Sequence, residues 1–350
     1  MTDNYYQPVY QYSRGGHPES LHYGAIAVVD SGGLLVAWYG EPQAAPFLRS
    51  SAKPFQALPL LLAGGAEAFG LSDQELALMC ASHSGTDEHV VVLAGLQRKL
   101  GIEESDLQCG VHPPFHKPTA DSLRAAGLAP TPARHNCSGK HSGMLALAAL
   151  KDWPLESYLD EDHPVQVSIL EATARLCGMD AVDIAVGTDG CSAPNFALPL
   201  HNAAWGFARL MDQYDLPEDY AVAARQVRDT MLAFPGMVAG PERLDTALMQ
   251  WGGGRILAKG GAEGYQAFGL AAGALGPGSP ALGVALKVSD GDARKAVRDA
   301  VALEVLRQLG LEELDDLKDY GPQLPVYNWR GLEVGRGEPV FQLELERRRG

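Results

Sequence analysis

Strand-like runs stand at both ends of this 350-residue chain, while helical periodicity fills its middle. The stretch HYGAIAVVDSGGLLVAWYG (22–40) predicts two strands around a Ser-Gly-Gly turn at 31–33. PALGVALKVSDG (280–291) and LEVGRGEPVFQLEL (332–345) add late strands. Apolar spacing predicts helices over 54–64, 72–80, 87–100, 140–151, 164–177, 198–213, 219–233 and 241–250, with another over 291–309 between the late strands. A short strand is expected at 183–187. Terminal strands must meet in one sheet to bury their apolar faces, which gives an α+β layer architecture with a helical insertion. The expected arrangement is one domain spanning 1–350, with a sheet part over about 1–48 and 265–350 and a mainly helical part over about 49–264.

The composition fits a large buried core, with 46% hydrophobic and 20% charged residues. No apolar run approaches the roughly 18 residues needed to span a bilayer. The opening MTDNYYQPVYQYSRGG has neither a basic start nor an apolar core, so a cytoplasmic protein without a signal peptide is expected. A net charge of −15 argues against a nucleic-acid backbone as partner, and the terminal RRRG is too short to reverse that. Five cysteines in a chain of this length make no disulfide framework, so their neighbours decide what they do.

RSSAKPFQALPLLL (49–62) is the first segment with chemistry. As structure it is a serine-capped helix start with proline in the first turn. As chemistry, Ser50 and Lys53 are three residues apart and share one helix face, whereas Ser51 points elsewhere. Serine is a poor nucleophile until a base takes its proton, and a lysine amine serves as base only where burial and a second cation favour its neutral form. Pro54 makes the first turn irregular.

Three further loops are dense in functional side chains. CASHSGTDEH (80–89) joins two helices and offers Ser82, His83, Ser84 and His89, as caps or as a hydroxyl able to relay a proton. RHNCSGKHSGML (134–145) holds His135, Cys137, Lys140 and His141, with Gly139 and Gly143 permitting close backbone approach. VGTDGCSAPNF (186–196) adds Asp189 and Cys191. These residue types suit a metal site, a pair of buried free cysteines, or a Cys137 nucleophile with His135 or His141 as base, and the spacing alone leaves all three open. GGGRILAKGGAEG (252–264) reads as a glycine-rich turn; it lacks the phosphate-cradle pattern, and its Lys259 is a candidate for the second cation.

Together RSSAKPFQA, CASHSG, HNCSGKHSGML, GTDGCSAPNF and KGGAEG, in this order, resemble the L-asparaginase II family, zinc-containing enzymes with a serine β-lactamase and glutaminase-like architecture. The likeness runs from about residue 9 to 340. It implies an antiparallel sheet, Ser50 as nucleophile with Lys53 as base, and a second pair formed by Ser82 and Lys259. It implies Cys137, Lys140 and Cys191 as zinc ligands, with a water completing the site. Arg49, His141 and Asp189 match positions lining the substrate site. The implied reaction converts L-asparagine to L-aspartate and ammonia through an acyl-enzyme, in a homodimer. The rival expectations are a glutaminase, another Ser-Lys acyl hydrolase, or a zinc-binding module without catalysis.

Overall fold

The computed structural model describes residues 5–293, 296–311 and 313–346. The chain divides into two compact units: one holds residues up to Ser51, Leu198–Asp212 and the chain from Ala258 onward, the other holds Ala52–Ala197 and Gln213–Leu257.

In the first unit a mixed-length sheet is built around β2. The strands are β1 (Gln7–Arg14), β2 (His17–Asp30) and β3 (Leu35–Tyr39) from the N-terminal part of the chain. A small hairpin of the other unit supplies β4 (Ala185–Thr188) and β5 (Pro194–Ala197). The late chain supplies β6 (Ile256–Gly260), β7 (Tyr265–Leu270), β8 (Leu282–Val288), β9 (Leu324–Tyr327), β10 (Glu333–Pro339) and β11 (Glu344–Leu345). The order is β6-β7-β8-β2-β1-β10-β9, and β3 bridges β2 to β11. One edge of β2 meets β1 along its first half and β3 along its second, while the other edge meets β8, all antiparallel. The α+β class expected from the sequence is the class observed: N- and C-terminal strands interleave, because β1 also pairs with β10.

Ala25–Val29 are all fully buried, which requires cover on both faces of the sheet. Helices Leu200–Met211 and Val297–Gln308 pack on it. The first lies close because β8 carries Gly283, where a Cβ would stand 1.8 Å from the Ala204 carbonyl oxygen.

The second unit is mainly helical. Its longer helices are Asp73–Met79, Asp87–Leu100, Lys117–Ala125, Ser138–Leu150, Pro164–Cys177, Glu218–Ala233 and Leu244–Gly252. Ser72 and Glu75 close a reciprocal capping box at the first of these. Gly139 lets helix Ser138–Leu150 sit against helix Asp73–Met79: a Cβ there would stand 2.1 Å from the Leu78 carbonyl oxygen. Among the described residues no helix is long and apolar enough to cross a membrane.

Several local expectations change. The helix expected over 54–64 is a 3-10 turn, Arg49–Ala52, followed by two short helices, Lys53–Gln56 and Leu58–Leu62, each with proline near its start. Proline has no N–H to donate, so a single uninterrupted ladder cannot form. Ser50 therefore lies inside the 3-10 turn and does not cap the helix, whose N-cap is Ala52. The glycine-rich segment 252–264 is not all turn: β6 runs through it and carries Lys259. The terminal RRRG lies outside the described residues.

Candidate active site

Within the helical unit, Lys53 opens helix Lys53–Gln56 and is only 1% exposed. Its Nζ donates to the carbonyl oxygens of Ala81 at 2.6 Å and Asn136 at 3.1 Å, and lies 2.9 Å from Ser82 Oγ. These partners suit either protonation state. An ammonium donates to all three; a neutral amine donates to the two carbonyls and turns its lone pair to the Ser82 hydroxyl. Ser82 follows helix Asp73–Met79 and is held by its own N–H, which donates to the Val238 carbonyl at 2.9 Å.

A second group of side chains adjoins Lys53. Cys137 is the N-cap of helix Ser138–Leu150, and its N–H donates to His135 Nδ1 at 3.0 Å. A hydrogen bond from the Cys191 thiol holds the Cys137 thiol well below its usual range, helped by the charges of Lys53 and Lys140 against the cost of burial. Cys191 is raised by that same hydrogen bond and by burial, so the two thiols are shifted in opposite directions. Lys140 Nζ donates to Cys191 Sγ at 2.9 Å. Burial alone would lower Lys140, but Cys191, Cys137 and Asp189 outweigh it and hold the amine above its usual value.

The β4–β5 hairpin supplies Asp189 and Cys191. Ser192, in the left-handed region, tightens its turn, with Asp189 N–H donating to the Ala193 carbonyl at 2.9 Å. Asp189 Oδ2 lies 3.6 Å from Cys191 Sγ. His141 stands one turn inside helix Ser138–Leu150, fully buried, with Nδ1 2.6 Å from the Tyr158 hydroxyl. Burial chiefly depresses it to about 4, so it is a neutral imidazole near pH 7.

The remaining candidates belong to the sheet unit. Arg49 sits in the left-handed region at φ 51°, its guanidinium 3.9 Å from Glu263. Ser50 is half-buried, whereas Ser51 is fully buried and its hydroxyl donates to the Lys259 carbonyl at 2.7 Å. Lys259 is fully buried in β6, and its Nζ donates to the Gly260 carbonyl at 3.1 Å. Thus Lys53 and Ser82 come together, as do Cys137, Lys140, His141, Asp189 and Cys191; Arg49, Ser50 and Lys259 are placed in the other unit.

Sequence reasoning missed two contributors. The Asn136 carbonyl that receives Lys53 sits inside the HNCSGK motif, but backbone acceptors leave no side-chain signature. Tyr158 lies in an unremarkable ESYLD stretch and carries none either.

The sequence profile of the L-asparaginase II family matches residues 10–339, nearly the whole chain. The chain belongs to the L-asparaginase II family. Membership makes it an amidohydrolase, the coarsest statement of its chemistry. Comparison with curated proteins finds no match. Among solved structures, this asparaginase-family chain is similar to a probable glutaminase from Bacillus subtilis complexed with 6-diazo-5-oxo-L-norleucine, at 12% identity and a TM-score of 0.40, covering 83% of this chain and 85% of that one. A Bacillus glutaminase in 4.3 M NaCl is similar at 12% identity and a TM-score of 0.40, covering 83% and 92%.

For the metal that the family likeness implies, the donor set fits. Two buried sulfurs, one of them held well below its usual pKa range, and an amine 2.9 Å from the other are soft-to-borderline donors suited to zinc. Among the described residues no three His, Cys, Asp or Glu side chains converge as a metal-holding group. The further donor beside the two sulfurs is the Lys140 amine, which must give up a proton before it can ligate.

Proposed function

We propose that this protein is an L-asparaginase that hydrolyses the side-chain amide of L-asparagine through a serine acyl-enzyme. The observation that carries the reading is the contact of a buried lysine, Lys53, with the Ser82 hydroxyl and two carbonyls, in a chain of the asparaginase family. Ser50, three residues before Lys53 in the chain, is the nucleophile. Ser51 is a poor rival, since its hydroxyl hydrogen is already given to the Lys259 carbonyl.

In the acylation step Ser50 Oγ bonds to the amide carbon and its proton passes to the Lys53 amine. Collapse of the tetrahedral adduct breaks the carbon–nitrogen bond, and Lys53 returns the proton through Ser82 to the leaving nitrogen, which departs as ammonia. Lys259 is the second lysine of the proposed machinery. A water molecule then adds to the acyl carbon and gives its proton to Lys53. The bond from that carbon to Ser50 Oγ breaks as Lys53 passes the proton to Oγ, and aspartate leaves with Ser50 and the neutral Lys53 restored. Arg49 binds a substrate carboxylate, and His141 and Asp189 line the site or support the metal shell.

Cys137, Lys140 and Cys191 would hold a zinc ion, with Asp189 beside them; when bound it supplies a fixed positive charge that favours anionic substrate groups nearby. Five buried free cysteines favour a reducing, cytoplasmic setting. A homodimer of identical chains is the assembly proposed, because two-fold oligomers predominate among soluble proteins; a light-scattering mass near twice 37.3 kDa is expected.

The deciding experiment measures ammonia release from asparagine, glutamine and, by colour change, a chromogenic β-lactam. Turnover of asparagine well above both is expected, abolished in Ser50→Ala and kept in Ser51→Ala. Turnover of glutamine above asparagine overturns the substrate, and full activity of Ser50→Ala overturns the nucleophile.

A further inference from the structure

Tyr158 is fully buried, and its hydroxyl oxygen has two polar neighbours among the described residues: the Gln108 N–H, which donates to it at 3.0 Å, and His141 Nδ1 at 2.6 Å. Burial raises the phenol far above its usual value, so it keeps its hydrogen. That hydrogen needs an acceptor. Gln108 N–H is itself a donor, which leaves His141 Nδ1. If Nδ1 instead carried the imidazole hydrogen, two donors would face the phenol oxygen and its own hydrogen would be buried without a partner, the more costly arrangement.

The other end of the ring gives a second, independent observation. His141 Nε2 is buried and makes no hydrogen bond of ordinary geometry, and the Cys191 side chain is a hydrogen-bonding neighbour of the imidazole. An unprotonated Nε2 would be a buried acceptor without a donor. A protonated Nε2 can offer its hydrogen to the Cys191 sulfur, a weak acceptor.

We propose that Tyr158 is a positioning residue: its hydroxyl donates to His141 Nδ1 and fixes the imidazole as the Nε2–H tautomer, whose hydrogen is given to the Cys191 sulfur. His141 then acts through Cys191, steadying negative charge on sulfur, and is not itself a metal donor. The tautomer stands on hydrogen bonding alone; its consequence for metal affinity rests on the zinc reading proposed above.

The test is a long-range nitrogen–proton correlation spectrum of the imidazoles in the full-length, chelator-treated protein, with His141 assigned from a His141→Gln variant. The wild type is expected to show Nε2 as the protonated nitrogen in a tenfold or greater excess of one tautomer, and Tyr158→Phe, which keeps the ring, is expected to show a mixture. A protonated Nδ1 in the wild type overturns the proposal, as does an unchanged tautomer ratio in a folded Tyr158→Phe. Should that variant not fold, the wild-type spectrum decides. In parallel, zinc titration of Tyr158→Phe should show affinity weaker by roughly 10- to 100-fold. A wild type that binds no zinc overturns the metal reading and leaves the tautomer result intact.

Discussion

Lys53 Nζ stands 2.9 Å from Ser82 Oγ and donates to the carbonyl oxygens of Ala81 and Asn136. Two fixed carbonyls hold the amine in place, and the hydroxyl is the one partner that can either accept a hydrogen from it or donate one to it. The arrangement therefore connects a buried lysine amine to a group that can pass a proton onward.

Replacing either member of this pair should separate its functions. Lys53→Arg is expected to lose essentially all turnover, because guanidinium cannot act as a base near neutral pH. Ser82→Ala keeps Lys53 and its two carbonyls, so binding should be retained while kcat falls by about 10²- to 10⁴-fold, the usual range for a lost proton-transfer group. Steady-state ammonia release gives both numbers. Unchanged kcat in Ser82→Ala would remove it from the proton path.

The bounds of the site's supporting helices were the most legible part of the chain. Helix Asp87–Leu100 ends at Gly101 and helix Pro164–Cys177 at Gly178, both left-handed glycines at helix ends, and Pro164 opens the second. Helix Lys117–Ala125 escaped because it buries no residue, so no apolar stripe marks it. Strand β6 escaped because ILAKG, buried throughout, has no alternation and stands between glycine pairs that read as turn. In the site, Cys137, Lys140 and His141 were visible as a cluster since they share one helix start, whereas Tyr158 reaches His141 only through the folding of the intervening chain.

The metal proposal predicts that Cys137→Ser and Cys191→Ser each lower bound zinc well below one per chain, since an alcohol is a far poorer donor than a thiolate for this ion. Lys140→Met should do likewise while leaving both sulfurs in place. Elemental analysis of the purified variants is the measurement. Full zinc content in all three would mean that the sulfurs and the amine form a buried ion pair and nothing more.

Buried histidines set an acid limit on stability. His89, His135 and His141 are each depressed to about 4, chiefly by burial, whereas an unfolded histidine titrates near 6.5. Between those values the unfolded chain binds more protons than the folded one, so stability is whole above about pH 6.5 and is lost as pH falls toward 4. Chemical denaturation midpoints at pH 7 and pH 5 should therefore differ clearly, with the lower value at pH 5. Equal midpoints would show that the three rings accept protons without penalty.

Two glycines on helix Ser138–Leu150, which carries Lys140 of the proposed zinc site, test how tightly it is seated. At Gly139 a Cβ would stand 2.1 Å from the Leu78 backbone oxygen, which cannot swing away, so the helix itself must shift. At Gly143 the nearest atom is Met79 Cγ at 3.3 Å, part of a flexible side chain. Neither position has a positive φ, so alanine is conformationally acceptable at both and gains up to about 1 kcal/mol of helix propensity. Gly143→Ala should therefore be close to neutral, while Gly139→Ala should lose about 1–3 kcal/mol through overpacking. Because Lys140 and Cys137 flank Gly139, the same displacement should weaken zinc retention in that variant and spare it in Gly143→Ala. Urea unfolding of the two variants side by side measures the difference, and equal stability would mean that helix Ser138–Leu150 can move away from Leu78 at little cost.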